Sequence, residues 1–279
     1  NEFLIVSNRK DHKGLIMGQC LTAVGWVGGT LPELYEKDGM VELSMADVAG
    51  GGFAVGAALA GKKLVYIIRY QGFNWFNAAI VLNYAAKSKE IWNIPCPMFI
   101  RSIGMEGGIG PVAGSSHHSI YYRMPGVKIV APVTPNEYKK AYKNFLESDD
   151  VFYVSEHRKS WDNTEELLNI NYDNPDLTLL PISITRFEAM KASELLSKEG
   201  FKINVHHIFE IKPLKINDDT INSIKNSKHG ALLLDNDFEN GAAKSIAYEF
   251  ILKTKKDINV LGLEDRTAGF YPQVDNTGP

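Results

Sequence analysis

Hydrophobic residues recur along the first half of the chain in short unbroken runs, each followed by a turn-rich segment and then by a helix-like stretch. The runs that we predict as strands span residues 3–7, 64–68, 97–101, 127–132 and 151–155. Unbroken runs rich in β-branched residues are typical of internal parallel strands, so we predict an α/β fold with helices on both faces of a parallel sheet. Sites in such sheets lie beyond the carboxyl ends of the strands.

Helices are predicted between these runs, where small apolar or amphipathic segments follow the turns. They cover residues 53–60, 78–87 and about 134–146, the last with Pro135 in its first turn. Residues 30–33, Thr-Leu-Pro-Glu, are also predicted to lead from a loop into a helix.

A polar stretch at residues 162–176, rich in Asn and Asp, is interpreted as a linker, and the pattern resumes after it. We predict strands at 177–183, 202–208 and 231–234, and helices at 188–199 and 241–252. The chain is therefore expected to form two domains, residues 1–165 with the larger parallel sheet and residues 176–279 with a smaller α/β unit of ordinary domain size.

Composition narrows the classes of function. The 279 residues carry a formal net charge of -3, which gives no reason to expect a nucleic acid partner. No run is long enough to cross a membrane, and the run at 3–7 is too short for a signal peptide. Cys20 and Cys96 form neither a disulfide framework nor a zinc site, so we expect a cytoplasmic protein.

One carboxylate precedes a segment of small residues. Asp47 stands ahead of a glycine run, and residues 53–60 that follow carry no charge. Such a segment can pack closely against another backbone, because Gly52, Gly56 and Ala57 leave little side chain in the way. Spacing alone favours Asp47 as the N-cap of a buried helix. The alternative is a functional acid near the positive end of the helix dipole.

Aromatic residues recur at every third position after the strand at 64–68. Tyr70, Phe73 and Phe76 are spaced so that one helical turn or tight loop lines a flat slot. The ordinary alternative is an aromatic stripe in the core, which the spacing alone favours.

Further segments follow in an order known from one family. They are residues 83–87 (Asn-Tyr-Ala-Ala-Lys), 124–132 with Thr-Pro at 134–135, 155–158 (Ser-Glu-His-Arg), 193–200 and 212–214. With the Asp47 segment and the aromatics, this order resembles the β subunit of the 2-oxo acid dehydrogenase E1 component. More widely, it resembles the C-terminal half of transketolase and deoxyxylulose phosphate synthase. The resemblance runs from about Val24 to the C-terminus.

Enzymes of this family use thiamine diphosphate, so the resemblance implies a pyrimidine-binding domain followed by a transketolase C-terminal-type domain. It implies that Asp47 hydrogen-bonds the aminopyrimidine and promotes loss of the thiazolium proton, and that Tyr70, Phe73 and Phe76 bind the cofactor. The family residue is Glu, and Asp is one methylene shorter. Three explanations of this difference stay open. The backbone or cofactor lies closer, Asp47 is a weak activator, or the chain is not a conventional catalyst.

The loop from Gly104 to His118 is expected on the substrate side, since a glycine-rich turn brings backbone amides close to an anion. The family places a histidine in this loop, at a position that falls here on Ala113 or Gly114. The resemblance therefore implies that His117 or His118 replaces the missing catalytic group.

Cationic side chains beside this loop are candidates for binding a substrate carboxylate or phosphate. They are Arg101, at the end of a predicted strand, and His157 and Arg158, after the last strand of the first domain. Salt bridges of the arginines with Glu106 or Glu156 are the alternative.

The chain contains no Gly-Asp-Gly motif, through which family enzymes hold the diphosphate and its metal ion. We therefore expect no metal ligands here and a thiamine diphosphate site shared with an α-type subunit that carries the Gly-Asp-Gly domain and Mg²⁺. Residues 53–60 are the expected contact segment, and the resemblance implies an α2β2 heterotetramer.

Three functions remain open at this point. The first is the β subunit of a two-chain enzyme that cleaves the C–C bond next to the carbonyl of a 2-oxo acid and is inactive without its partner. The second is half of a split transketolase that transfers a two-carbon ketol unit between sugars. The third is a non-catalytic scaffold subunit. Residues 83–87 and 124–126 favour the first, whereas Asp47 and the missing loop histidine favour the third.

Overall fold

The computed structural model describes residues 14–105 and 112–265. The strands are β1 (Leu15–Gln19), β2 (Met40–Leu43), β3 (Leu64–Ile68), β4 (Met98–Gly104), β5 (Val127–Val130), β6 (Val151–His157), β7 (Leu177–Pro181), β8 (Ile203–Val205), β9 (Glu210–Lys212), β10 (Ala231–Phe238) and β11 (Ile258–Leu263). The right-handed α-helices are α1 (Asp47–Leu59), α2 (Asn74–Ile80), α3 (Ala86–Trp92), α4 (Ser119–Tyr122), α5 (Pro135–Leu146), α6 (Thr185–Lys198), α7 (Asp218–Asn226) and α8 (Ala242–Thr254), and a π-helical segment, Val81–Ala85, joins α2 to α3.

The strands of the described residues form two sheets. The larger sheet has seven strands in the order β2-β1-β3-β4-β6-β5-β9, and its neighbours are parallel except for β5 and β9. The smaller sheet has four parallel strands in the order β11-β10-β7-β8. The predicted α/β fold class is confirmed. No helix among the described residues is both long and apolar enough to cross a membrane.

Helices cover both faces of the larger sheet, which explains why its central strands are continuous apolar runs. On one face Ala54 and Ala58 of α1 pack in a buried cluster with β3 and β4. On the other face Tyr142 and Phe145 of α5 pack on Phe99 of β4, and the rings of Phe99 and Tyr142 stack with centroids 4.2 Å apart. A strand between two such layers has no solvent-facing side and needs no polar alternation.

The predicted runs at 64–68, 97–101, 127–132 and 151–155 correspond to β3, β4, β5 and β6. β4 and β6 extend further than predicted, to Gly104 and His157, because polar residues at their carboxyl ends are also buried. The run at 3–7 lies outside the described residues. The helix expected after 30–33 is wrong, since a 3₁₀ turn at Glu36–Asp38 follows instead.

Strand β9 connects the two predicted domains. It follows the linker in sequence, yet it pairs antiparallel with β5 at the edge of the larger sheet. Arg186 of α6 also reaches across and makes two contacts of 2.7 Å with the carboxylate of Glu137 on α5. The two units therefore share hydrogen bonds and charge pairs, and the boundaries 1–165 and 176–279 stay a prediction.

The glycine run lies inside helix α1, not ahead of it. The helix begins at Asp47 with Ala46 as its N-cap residue, so the N-cap role considered for Asp47 is wrong. Gly51 faces α2, where a Cβ at this position would lie 2.7 Å from Oδ1 of Asn77. Gly56, in contrast, has nothing within 4 Å of its ideal Cβ. One glycine permits close helix packing, whereas the other faces outward.

We expect Gly51→Ala to lower the free energy of unfolding by about 1–3 kcal/mol, because the added methyl forces Asn77 or α1 to move. Gly56→Ala is the matched control in the same helix and is expected to raise it by about 0.5–1 kcal/mol through helix propensity. Urea unfolding of both variants measures the difference. Equal effects of the two substitutions would contradict the close packing of α1 on α2.

Candidate functional site

A groove opens at the carboxyl ends of β1 and β3, beside the start of α1. It encloses about 100 Å³ and is lined by Gln19, Cys20, Met45, Asp47, Tyr66, Ile67, Ile68, Arg69, Tyr70 and Phe73. Carboxyl ends of parallel strands are where ligands of α/β proteins bind. Because ligand pockets usually enclose roughly 300–1,000 Å³, this groove by itself is too small to enclose a cofactor-sized ligand.

Asp47 lies in the first turn of α1 and lines the groove. The amide of Asn77 on α2 orients it: Nδ2 donates to the backbone oxygen of Phe73 at 3.1 Å and lies 3.5 Å from Oδ1 of Asp47. Burial raises the pKa of the Tyr66 hydroxyl, with a smaller contribution from Asp47. Tyr66 therefore stays protonated and donates to Oδ1 of Asn77 at 2.8 Å, which turns the amide nitrogen toward Asp47.

Gln19 is a second polar residue of the groove, and its side-chain nitrogen has no hydrogen-bond partner among the described residues. This nitrogen is buried. A buried amide without a partner carries a desolvation penalty of about 1–3 kcal/mol, which a ligand acceptor would remove. Asp47 and Gln19 together offer an acceptor and a donor, which complement a heteroaromatic ring with ring nitrogens and an amino group.

Two of the three predicted aromatics meet at the groove. Tyr70 and Phe73 line it, with ring centroids 6.1 Å apart and a 34° angle between the planes. Phe76 lies outside the groove on the outer face of α2 and is 51% exposed. The structure therefore places a flat apolar wall at positions 70 and 73 and directs position 76 away from it.

Arg101 does not face a substrate, which corrects the prediction from sequence. Its side chain is 1% exposed, and Nε and Nη2 contact the carboxylate of Glu156 at 2.5 and 2.6 Å. Nη2 also donates to Oγ1 of Thr30 at 2.7 Å. A buried bidentate pair of this kind neutralises the guanidinium inside the protein, so the salt-bridge alternative with Glu156 describes Arg101. The alternative partner Glu106 lies outside the described residues.

His118 is likewise buried and corrects the prediction of a substrate-side group. It is 0% exposed, with Nε2 2.9 Å from Oδ2 of Asp235 and Nδ1 3.2 Å from Oγ of Ser155. Burial by itself disfavours the imidazolium, but the carboxylates of Asp235 and Asp237 outweigh it and raise the pKa of His118 to about 9. His118 is therefore a buried cation that links β10 to the start of α4.

His117 and His157 lie in different surroundings. The main-chain N–H of His117 donates to Oε1 of Gln71 at 2.6 Å, and its half-buried ring lies 3.4 Å from Oγ of Ser115. Burial lowers the pKa of His117, so its ring is neutral near pH 7. His157 is buried. Burial, and to a smaller extent the positive charge of Lys159, lowers the pKa of His157 to about 4. The prediction that His157 binds an anion is not supported, because a neutral buried ring has no charge to offer.

A buried polar network around Gln71 and Asn74 was not predicted from the sequence. Gln71 donates to Oγ of Ser155 at 3.0 Å and accepts from the hydroxyl of Tyr153 at 3.0 Å. Asn74 donates to Oγ of Ser102 at 2.8 Å and to Tyr153 at 2.9 Å. The available signal was their spacing: Gln71, Asn74 and Asn77 recur at every third residue, each directly after one of the three aromatics.

The carboxyl end of β10 carries a second buried polar cluster, which was not predicted from the sequence. Asp235 and Asp237 are buried, and Oδ2 of Asp237 accepts from the main-chain N–H of Ser119 at 2.8 Å. Their position directly after the predicted run 231–234 was the available signal, because that is a strand's carboxyl end. Among the described residues, no group of three or more His, Cys, Asp or Glu side chains is placed to hold a metal ion.

Residues 6–162 match the family model described as transketolase, pyrimidine binding domain. The chain belongs to this family. The structure of this pyrimidine-binding family member is similar to a solved structure described as split gene transketolase, inactive beta4 tetramer. The TM-score is 0.73 at 13% identity, over 99% of this chain and 91% of that chain, which shows the fold alone.

Sequence relatives of this family member are subunits of 2-oxo acid dehydrogenases. It is 23% identical over 271 residues to the pyruvate dehydrogenase E1 component subunit beta of Staphylococcus epidermidis, which covers 89% of this chain and 82% of that protein. It is 24% identical over 229 residues to the 2-oxoisovalerate dehydrogenase subunit beta of Bacillus subtilis, covering 74% and 68%. Pyruvate dehydrogenase E1 component subunit beta-1 of Arabidopsis thaliana is 28% identical over 230 residues, covering 73% and 62%. The family resemblance is thereby confirmed.

Proposed function

We propose that this chain is the β-type subunit of a two-chain thiamine diphosphate enzyme that cleaves the C–C bond next to the carbonyl of a 2-oxo acid. The observation that carries the proposal is the groove in which the Asp47 carboxylate, the unpartnered amide of Gln19 and the ring of Phe73 come together. These groups suit an aminopyrimidine ring, and the relatives are E1 β subunits.

Thiamine diphosphate, when bound, supplies a nucleophilic ring carbon and an electron sink. The role that we propose for Asp47 is to hold a hydrogen bond, and at times the proton, at the aminopyrimidine nitrogen. Phe73 and Tyr70 would hold the ring against the groove wall, where aromatic pairs contribute about 0.5–1.5 kcal/mol beyond burial. His117, neutral near pH 7, stays the proposed imidazole on the substrate side.

The shorter reach of Asp relative to Glu has a structural counterpart in helix α1. Gly51 lets α1 approach Asn77 more closely than any larger residue would, and Asp47 lies one turn before Gly51 on the same helix. Close packing of α1 on α2 also sets the position of Asp47, the first residue of α1. We therefore favour the alternative in which a closer backbone offsets the missing methylene of Asp47.

The second wall of the site is expected from a partner chain. Helices α1 and α2 expose large apolar side chains, with Phe53 69% and Trp75 67% exposed and Val48 and Phe76 also exposed. Met45, which precedes α1 and lines the groove, is exposed as well. Several large apolar side chains exposed on two neighbouring helices are typical of an interaction surface. We propose that an α-type subunit covers it, contributes the Gly-Asp-Gly domain with Mg²⁺ and the diphosphate site, and completes an α2β2 heterotetramer.

Replacing Phe53 by Glu is expected to abolish association with the α-type subunit while the chain stays folded, because a charge would be buried in an apolar contact. Leu168→Glu is the control, since Leu168 is also exposed but lies in the polar stretch after β6. Light scattering after size-exclusion chromatography measures the assembly. A Phe53→Glu variant that assembles as well as Leu168→Glu would place the interface elsewhere.

Co-expression with a Gly-Asp-Gly protein tests the function itself. Turnover of a 2-oxo acid by the complex supports the proposal, whereas transfer of a ketol unit from a ketose phosphate supports the split-transketolase alternative. A complex that binds thiamine diphosphate without either activity points to a scaffold subunit. The domain boundaries 1–165 and 176–279 and a cytoplasmic location remain part of the proposal.

A further inference from the structure

Gln71 lies between Tyr70 and Phe73 of the groove wall, in the turn at residues 70–73, which we call the groove turn. Its own side chain is 0% exposed and is not among the residues that line the groove. Oε1 of Gln71 accepts a hydrogen bond of 2.6 Å from the main-chain N–H of His117. One buried side chain therefore joins the turn that carries the groove aromatics to the residue that we propose on the substrate side.

The other contacts of Gln71 fix which end of its amide faces His117. Nε2 donates to Oγ of Ser155 at 3.0 Å and to the main-chain oxygen of Glu156 at 3.2 Å, both on β6. Oε1 also accepts from the hydroxyl of Tyr153 at 3.0 Å. Because an amide nitrogen only donates and its oxygen only accepts, a rotated amide would place two N–H groups face to face. Such unpaired buried groups are costly, so the orientation of Gln71 is fixed.

The next residue of the groove turn makes a second contact with the segment that carries His117. The main-chain N–H of Gly72 donates to the oxygen of Val112 at 3.1 Å, and a Cβ at Gly72 would lie 2.6 Å from that oxygen. Only glycine permits this approach of two backbones. On the other side, the main-chain N–H of Ser116 donates to the oxygen of Asn236 on β10 at 3.0 Å. The segment is therefore held between the groove turn and β10.

We propose that Gln71 is a positioning residue, whose amide fixes His117 relative to the aromatic wall of the groove. The inference rests on the proposed function, in which His117 supplies the imidazole on the substrate side. The contact uses the main chain of His117, so neither ring nitrogen is bonded to Gln71 and the ring stays available to a substrate. A main-chain N–H does not titrate, so the position is kept whether the ring is neutral or charged.

The surroundings of the His117 ring provide a measurable sign of its position. Burial, the largest effect, lowers the pKa of His117, and the positive charge of His118 acts in the same direction. The carboxylate of Asp237 and a main-chain contact with Gly114 oppose this change. Loss of the Gln71 contact would let the ring move toward water and would remove the largest effect, so the pKa of His117 should rise toward its ordinary value of 6.5.

NMR titration of isotope-labelled histidines in the purified chain tests the position without any catalysis, with a His117→Gln spectrum to identify the signal. Gln71→Met keeps the approximate size of the side chain and removes its hydrogen bonds, so the His117 midpoint should rise toward 6.5. Asn204→Leu is the matched control: it removes a buried, hydrogen-bonded amide from the smaller sheet and should leave this midpoint unchanged.

Gly72→Ala is a second variant, which acts through the backbone contact with Val112 and should shift the His117 midpoint in the same direction. It decides the question if Gln71→Met does not fold. An unchanged His117 midpoint in both variants would overturn the proposal.

A double-mutant cycle in the assembled complex tests whether Gln71 acts through His117. Gln71→Met is expected to lower kcat for a 2-oxo acid about 10- to 100-fold, the range for a catalytic group displaced by about 1 Å. In a His117→Ala background the same substitution should have almost no further effect. Equal fold-losses in both backgrounds would overturn the proposal. A complex without 2-oxo acid turnover, in which the His117 midpoint still depends on Gln71, would refute the proposed function and support the positioning role.

Discussion

Asp47→Asn in the assembled complex is expected to lower kcat about 10²- to 10⁴-fold, the range for removal of a positioned proton-transfer group. The substitution keeps the size of the side chain and its contact with Asn77 while removing its charge and its capacity to hold a proton. Because the groove wall of Tyr70 and Phe73 is untouched, thiamine diphosphate affinity is expected to change much less than kcat. Steady-state kinetics and cofactor titration measure the two effects separately.

Two variants serve as controls for Asp47. Glu42→Gln removes the nearest other acid in the sequence, which is exposed on β2 and bonds Thr22 at 2.5 Å, so turnover should stay within about twofold. Asp47→Glu restores the family residue and reports on reach: a gain in kcat identifies Asp as a weak activator, whereas a loss supports the closely packed backbone. Unchanged turnover in Asp47→Asn would refute the assignment of the activating acid.

Asp235→Asn is expected to destabilise the chain by about 3–5 kcal/mol at pH 7, because it leaves the buried cation of His118 short of a partner. The pair lies between β10 and the start of α4, so its loss weakens the contact between the two sheets. Urea unfolding measures the free energy. Asp218→Asn, at the exposed start of α7, is the control and should change stability by less than about 1 kcal/mol.

The same pair predicts a pH dependence with a definite sign. The folded pKa of His118, about 9, exceeds its ordinary value of 6.5, so the stabilisation is fully present below pH 6.5 and is lost as pH rises toward 9. The difference corresponds to about 3 kcal/mol. Burial lowers the pKa of His157 to about 4, and desolvation of the partly buried His207 lowers its pKa to about 3. Their effect on stability appears only on acidification, so it does not mask the window between pH 6.5 and 9.

Unfolding at pH 6.5 and at pH 9 separates this effect from other titrations when wild type and Asp235→Asn are compared. The variant should lose much less stability than wild type between these two pH values. Identical losses in both proteins would mean that His118 is neutral in the folded state, and the proposed charge pair between the sheets would then be wrong.

The sequence pattern was sufficient to predict those strands and helices whose formation depends on residues within one short segment. The apolar runs of β3 and β6 predicted internal strands, because a strand covered on both faces has no polar side. Helix α5 was equally readable: Pro135 stands in its first turn, and Glu137 accepts from the main-chain N–H of Thr134 at 3.3 Å. β9 was missed because three residues at a sheet edge carry almost no periodic signal.

In the candidate site, the local order of residues located the Asp47 segment and the aromatic series, but not their directions. Phe73 faces the groove and Phe76 faces outward, since the turn at 71–73 passes into α2 between them. The roles of Arg101 and His118 depended on partners 55 and 117 residues away, Glu156 and Asp235. The sequence does not show whether a charged side chain contacts a ligand or a buried residue of opposite charge. The packing of strands that are distant in sequence decides between the two. For Asp47, the sequence alone showed that an Asp stands at this position. The tertiary structure decided that it lines a groove, that the amide of Asn77 orients it and that exposed apolar side chains lie on the same helix.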